Sequence, residues 1–226
     1  MVRRALFAAL CLCFATAAQG QQCRLALAMA MDISSSIDER EYALQQEGLA
    51  QALEDPAVRG AFLPGLPPVA LAIYEWSNTR QQAIIQNWVL VTDESVLDDI
   101  AQQVRSHRRS AADQPTAIGN ALLFGLALFN EAPPCAAFTI DISGDGVNNA
   151  GIAPNRAYLR PDWAGITVNA LAIGPTRQME TYFRRQVIRG PRAFVERARQ
   201  FEDFGAAMER KLIREVLPDV LLGSLE

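Results

Sequence analysis

Leu25-Ala26-Leu27-Ala28-Met29-Ala30-Met31-Asp32-Ile33-Ser34-Ser35-Ser36 runs seven unbroken apolar residues into an aspartate and a cluster of hydroxyls. An apolar run without alternation is how a strand buried on both faces of a parallel sheet reads. Helical signals follow at once. Ser36-Ile37-Asp38-Glu39 fits a capping box, and the pattern predicts a helix to about Leu53. A buried strand that feeds a polar loop and then a helix is the opening unit of an α/β fold.

The rest of the chain repeats that alternation. Pro64 to Pro68 is a loop, Val69 to Trp76 a strand, and Ala83 to Val91 a second strand reached through a polar turn at Ser77-Asn78. That connection is too short for a crossover, so the pair is expected to be antiparallel and at a sheet edge. Ser95 to Val104 places Val96, Leu97, Ile100 and Val104 on one helical face. A polar loop from Arg105 to Gln114 leads through Pro115-Thr116 to an apolar helix, Ala117 to Phe129. Ala136 to Ile142 and Ile166 to Ile173 read as buried strands, Ala193 to Val195 as a short last strand, and Phe204 to Val216 as a closing helix. Pro161 interrupts Asn155 to Trp163, where a short or kinked element is expected. The pattern predicts an α/β fold: a doubly wound, mostly parallel sheet with one antiparallel edge strand and helices on both faces.

Length and composition fit one domain with a real core: 226 residues, half of them hydrophobic. Residues 1–20 resemble a secretory signal, with Arg3 and Arg4 ahead of an apolar run, Ala5 to Phe14, and small residues before Gly20. The run is shorter than the ~20 residues that span a bilayer, so no stable membrane insertion is expected once it is removed. Residues 21–226 form the expected domain, periplasmic or secreted. Loss of the two arginines would take the formal charge from −4 to −6, a mildly acidic body that argues against nucleic acid as a partner. Cleavage also removes Cys11 and Cys13 and leaves Cys23 and Cys135. Cys23 lies nine residues before Asp32 and Cys135 ten before Asp145. If those aspartates end two adjacent parallel strands, the cysteines meet at the opposite end, and one disulfide is expected, with two buried free thiols as the alternative.

Ligands of doubly wound sheets bind outside the carboxyl ends of the strands, where the strand order reverses. Asp32 ends the first strand, Ser34 and Ser36 lie in the loop leaving it, Thr116 opens the helix before the fourth strand, and Asp145 ends that strand. Asp32, Ser34 and Ser36 alternate, so an extended loop would turn all three the same way. Oxygen-only ligands suit a hard divalent cation such as Mg²⁺ or Mn²⁺. Each residue also has a plainer use: Ser36 and Thr116 as helix caps, Asp145-Gly146 as a turn.

Asp-x-Ser-x-Ser, a later Thr before a small-apolar helix, and Asp-Gly after a hydrophobic strand resemble the metal-ion-dependent adhesion site of von Willebrand factor A domains. The motif falls on Asp32, Ser34, Ser36, Thr116 and Asp145. Glu75-Trp76-Ser77, Thr116 to Ala121, Asp141 to Asn149 and Gly190 to Phe194 resemble a narrower group of exported bacterial proteins, domain-of-unknown-function family 1194. The resemblance implies cation-dependent protein binding without catalysis, with an acidic group of a protein partner completing the cation's shell.

Two other functions compete. Asp32 with Gly144-Asp145-Gly146-Val147-Asn148-Asn149 is also similar to haloacid-dehalogenase-type phosphatases, but Ser34 stands where their second aspartate would act as acid and base. The only lysine, Lys211, follows that loop instead of preceding it, and Asn149 replaces the final aspartate. A structural domain with a vestigial site is the third reading. Asp141, inside an apolar strand, is expected to have a hydrogen-bonded or structural role rather than to ligate. Asn148 and Asn149 either shape the site loop or are plain turn residues. Arg105, His107, Arg108 and Arg109 read as a solvated loop or as a contact surface for an acidic partner, and Trp76, Trp88 and Trp163 as packing residues.

Overall fold

The computed structural model describes residues 23–217, so the expected signal segment at 1–20 lies outside the described residues. The elements in chain order are β1 (Leu25–Asp32), α1 (Glu39–Glu54), α2 (Pro56–Phe62), β2 (Val69–Trp76), β3 (Gln82–Val91), α3 (Glu94–Ser106), α4 (Ile118–Leu128), β4 (Phe138–Gly144), α5 (Pro154–Ala157), β5 (Ile166–Ile173), α6 (Arg177–Gln186), β6 (Val195–Ala198) and α7 (Phe204–Val216). They build a six-stranded sheet in the order β3-β2-β1-β4-β5-β6. All pairs are parallel except β2–β3, which is antiparallel and leaves β3 at the edge. The chain winds outward from β1 in one direction and restarts from β4 in the other. The order therefore reverses between β1 and β4.

Every residue of β1 is buried, as the unbroken apolar run requires. Leu27, Met29 and Met31 pack with Leu49 and Leu53 of α1, Leu97 of α3 and Met208 of α7. The intervening Ala28 and Ala30 face the other layer, with Ile118 and Leu122 of α4 and Phe183 of α6. Small residues on that side bring α4 close to the central strands. Trp76 and Trp163 are buried packing residues, and Trp88 stacks on Phe129 at the edge.

Several local expectations shift. The capping box sits two residues later than read: Asp38 is the N-cap of α1, accepting from Glu41 N while Glu41 reaches back to Asp38 N. Ser36 is thus free of that duty. The competing signals overlap, because two oxygen-bearing N-cap candidates precede the same helix. Thr116 does not cap α4 either; Ala117 holds that position without a side-chain cap. The last strand is Val195–Ala198 rather than 193–195. Helix α6, Arg177-Gln178-Met179-Glu180-Thr181-Tyr182-Phe183-Arg184-Arg185-Gln186, is an element beyond the sequence expectations; it packs through one short stripe, Met179, Tyr182 and Phe183, among seven polar residues. Pro161 does divide its segment into two short helical turns, α5 and Pro161–Trp163.

At the amino ends of β1 and β4, Cys23 and Cys135 form a disulfide with Cα atoms 4.5 Å apart. They also pair as a parallel bridge, and Ala136 N donates to Cys23 O. The covalent link spans 112 residues. In the chain-entropy picture it stabilises the fold by about 4 to 5 kcal/mol. Thiol counting on denatured, unreduced protein lacking residues 1–20 should find no free thiol, and Cys23→Ser with Cys135→Ser should lower the melting temperature by about 10 °C or more.

Asp141 has the structural role expected of it, on the face of the sheet turned to α7. Lys211 Nζ is fully buried, 2.7 Å from Asp141 Oδ1 and 2.6 Å from Glu215 Oε1, and Asn169 Nδ2 also donates to Glu215. Burial alone would lower Lys211, but the two carboxylates outweigh it and leave its pKa raised. Burial and the Asp141 charge push Glu215 up to about 8, against the pull of Lys211. The folded state thus holds the Glu215 proton at pH values where the unfolded chain has released it, so stability falls as pH climbs from the ordinary glutamate range to about 8. Glu215→Gln should match the parent near pH 4.5 and gain an increasing melting-temperature advantage up to about pH 8, as measured by thermal melts across that range.

Candidate metal centre

Parallel pairing of β1 with β4 brings the ends of the two strands together, which places Asp32 beside the Gly144-Asp145-Gly146 turn. A Cβ on Gly144 would lie 2.9 Å from Asp32 Oδ2, so that position needs a glycine for the carboxylate to sit where it does. The loop after β1 is a turn, not the extended segment expected: Ile37 N donates to Ser34 O. The turn still gathers the hydroxyls. Ser34 Oγ and Ser36 Oγ are 3.3 Å apart, and Ser36 Oγ donates to Asp145 Oδ1 at 2.6 Å. Ser34 N donates to Asp32 Oδ1 at 2.7 Å. A Cβ on Gly146 would be 3.4 Å from Thr116 Oγ1 and 3.8 Å from Ser36 Oγ, so both hydroxyls lie close to the turn after β4.

Thr116 is held by residues that carried little signal in the sequence. Asn149 Oδ1 accepts from Thr116 N at 2.8 Å, and Asn149 N donates to Thr116 O at 2.9 Å. Asn148 Oδ1 accepts from Gly119 N, and Asn148 N donates to the Tyr182 hydroxyl of α6. The paired asparagines after Asp145 therefore fasten the β4 turn to the start of α4. Gly119 permits the close approach: a Cβ there would stand 2.1 Å from Ile152 O.

The electrostatics are those of a carboxylate without enough donors. Asp32 is fully buried, and its Oδ2 has no hydrogen-bond partner. Burial, with a smaller push from Asp145, raises its pKa to about 7 against the opposing Ser34 hydrogen bonds. Asp145 is also raised, chiefly by burial. A buried anionic oxygen left unpaired is costly, and a cation beside it relieves that cost. Two carboxylates and three hydroxyls are an all-oxygen donor set, suited to a hard cation that keeps some water. Among the described residues no group of three or more His, Cys, Asp or Glu is placed to hold a metal ion.

The basic stretch before Thr116 is solvated only in part: Arg105 and Arg108 are exposed, while His107 and Arg109 turn inward. Arg105 pairs with Glu47 and Glu54 of α1. His107 Nε2 faces the buried Glu75 at 3.3 Å. Arg109 reaches the carbonyls of the β1–α1 turn. Lys211 is engaged with Asp141 and Glu215 inside the α7 layer, so it does not serve as the cation a phosphatase would need beside Asp32.

A family model for proteins of unknown function, DUF1194, matches residues 22–220, and the chain belongs to that family. No curated protein matches it by sequence. The fold is that of von Willebrand factor A domains. Proximal thread matrix protein 1 from the mussel byssus superposes with a TM-score of 0.62 at 16% identity, over 85% of this chain and 48% of that one; one of its structures has a zinc-occupied MIDAS motif. A von Willebrand factor type A protein from Catenulispora acidiphila gives 0.59 at 14% identity, over 86% and 43%. The pilus adhesin SpaC from Lactobacillus rhamnosus GG gives 0.59 at 14%, over 87% and 32%. The chain spans less than half the length of each. Among the described residues no helix is long and apolar enough to cross a membrane.

Two glycine substitutions separate the close approach at the site from ordinary helix chemistry. Gly119→Ala should cost about 3 kcal/mol or more, since a backbone carbonyl blocks the methyl group. Gly60→Ala, in α2 with nothing within 4 Å, should be neutral or stabilising by up to about 1 kcal/mol. Urea unfolding of both variants checks the contrast.

Proposed function

We propose that this chain is an exported protein-binding module that holds a divalent cation, Mg²⁺ or Mn²⁺, at Asp32, Ser34, Ser36, Thr116 and Asp145. The observation that carries the reading is the buried Asp32 carboxylate, whose Oδ2 lacks a partner while hydroxyls and a second carboxylate crowd the same spot. Such a cluster is unfavourable alone and favourable around a cation. With neutral hydroxyls supplying three of the five oxygens, much of the cation's charge stays uncompensated. An acidic side chain of a partner protein is the group that would balance it.

Adhesins and matrix proteins among the solved structures of this fold support a protein-interaction role over catalysis. So does the chemistry of the chain. Ser34 cannot replace an aspartate as general acid, and the only lysine is committed elsewhere. The disulfide supports an oxidising compartment, in keeping with the apolar leader at 1–20.

Binding to the folded state alone raises stability in proportion to the logarithm of ligand over dissociation constant. Millimolar Mg²⁺ or Mn²⁺ should therefore raise the melting temperature of the metal-stripped protein, and Asp32→Ala should abolish the rise. An equal rise in parent and variant would remove the site. Hydrolysis of an aryl phosphomonoester that disappears in Asp32→Asn would restore the phosphatase reading.

A further inference from the structure

We infer that Arg109 is the positioning residue of the cation loop, set in place by a buried anchor at Glu75. The β1–α1 turn supplies Ser34 and Ser36, yet its carbonyls belong to neither strand nor helix. Three of them converge on one nitrogen: Arg109 Nη2 donates to Ile33 O at 2.9 Å, Ser34 O at 3.2 Å and Ile37 O at 2.8 Å. A single charged donor thus closes the turn from inside and fixes the backbone that aims both hydroxyls. Charge-assisted bonds of this kind are the stronger ones, and the planar guanidinium holds its direction better than an ammonium.

The guanidinium is itself held. Its carbon lies 5.5 Å from the centre of the Tyr42 ring, and the Tyr42 hydroxyl donates to Glu75 Oε2 at 3.1 Å. Glu75 is fully buried. Its other oxygen accepts from Ser110 N at 2.7 Å and faces His107 Nε2 at 3.3 Å. A buried carboxylate needs such donors and nearby positive charge. Glu75 therefore pins the segment 107–116 on either side of Arg109. That segment is tied again where Ser35 N donates to Gln114 O, and it ends in Thr116. One strap thus sets the relative positions of Ser34, Ser36 and Thr116 before any cation arrives.

The consequence for cation affinity rests on the proposed metal centre; the consequence for the turn does not. Groups that orient metal ligands from behind typically contribute about 10–100-fold in affinity. We therefore expect Arg109→Ala, in the disulfide-bonded protein, to weaken Mn²⁺ binding by about 10-fold or more in calorimetric titration. It should also speed hydrogen exchange at the Ser35 and Ile37 amides in metal-free buffer. Arg109→Lys should recover part of both. Glu75→Gln should shift both in the same direction, and adding it to Arg109→Ala should cost less than it does alone, because the two act through one strap. Arg59→Ala, which removes the ion pairs to Glu94 and Asp98 between α2 and α3, controls for general destabilisation and should leave both readouts unchanged. Unchanged exchange at Ser35 and Ile37 in Arg109→Ala would overturn the inference. So would an equal loss of Mn²⁺ affinity in Arg59→Ala. If the parent binds no Mn²⁺, the metal centre fails, and the exchange data alone decide the role of Arg109.

Discussion

The pairing of β1 with β4 is the contact on which everything else in this protein depends. Two strands more than a hundred residues apart lie parallel and in register, Ala26 opposite Phe138 and Ala30 opposite Ile142. At their carboxyl ends this sets Asp32 beside the turn holding Asp145. At their amino ends it sets Cys23 against Cys135, and the disulfide fastens there. Because the sheet order reverses between these two strands, no crossover helix covers the crevice above them. One registration thus produces both a covalent clamp and an open polar site, at opposite poles of the same pair.

Two of the buried charge clusters on this framework are resolved differently. Asp141, Lys211 and Glu215 contain their own cation, so the group is closed and acts within the fold. Asp32 and Asp145 have hydroxyls and amides for company, and among the described residues no cationic side chain is paired with either. The lone lysine is spent on the first cluster. That allocation separates a structural carboxylate from one suited to an external cation, although both belong to the same central strands.

Much of this was legible because it depends on short-range pattern. Unbroken apolar runs marked the central strands, a short polar turn marked the antiparallel edge, and Asp-x-Ser-x-Ser marked the loop after β1. The cysteine offsets from Asp32 and Asp145 carried the registration of β1 on β4. What failed to show lacked a local signature. Helix α6 shows an apolar stripe of only three residues, Met179, Tyr182 and Phe183, among seven polar ones, too short a run to stand out in the sequence. Two N-cap candidates in succession hid which of Ser36 and Asp38 would cap α1. Arg109 and His107 sat in a stretch whose charge suggested solvent, because nothing nearby in sequence announces the buried Glu75 that they meet.

The sequence by itself determined the class of fold, the five oxygen-bearing candidates and the cysteine pair, since hydrophobic periodicity and ligand chemistry are properties of residues and their spacing. Only the tertiary structure decided which polar groups are satisfied. The asparagines that hold Thr116, the strap that closes the Ser34 turn and the missing partner of Asp32 Oδ2 are relations between distant segments. Hydrogen bonding and desolvation are settled by what lies within about 3 Å in space, and a sequence does not order its residues by that distance.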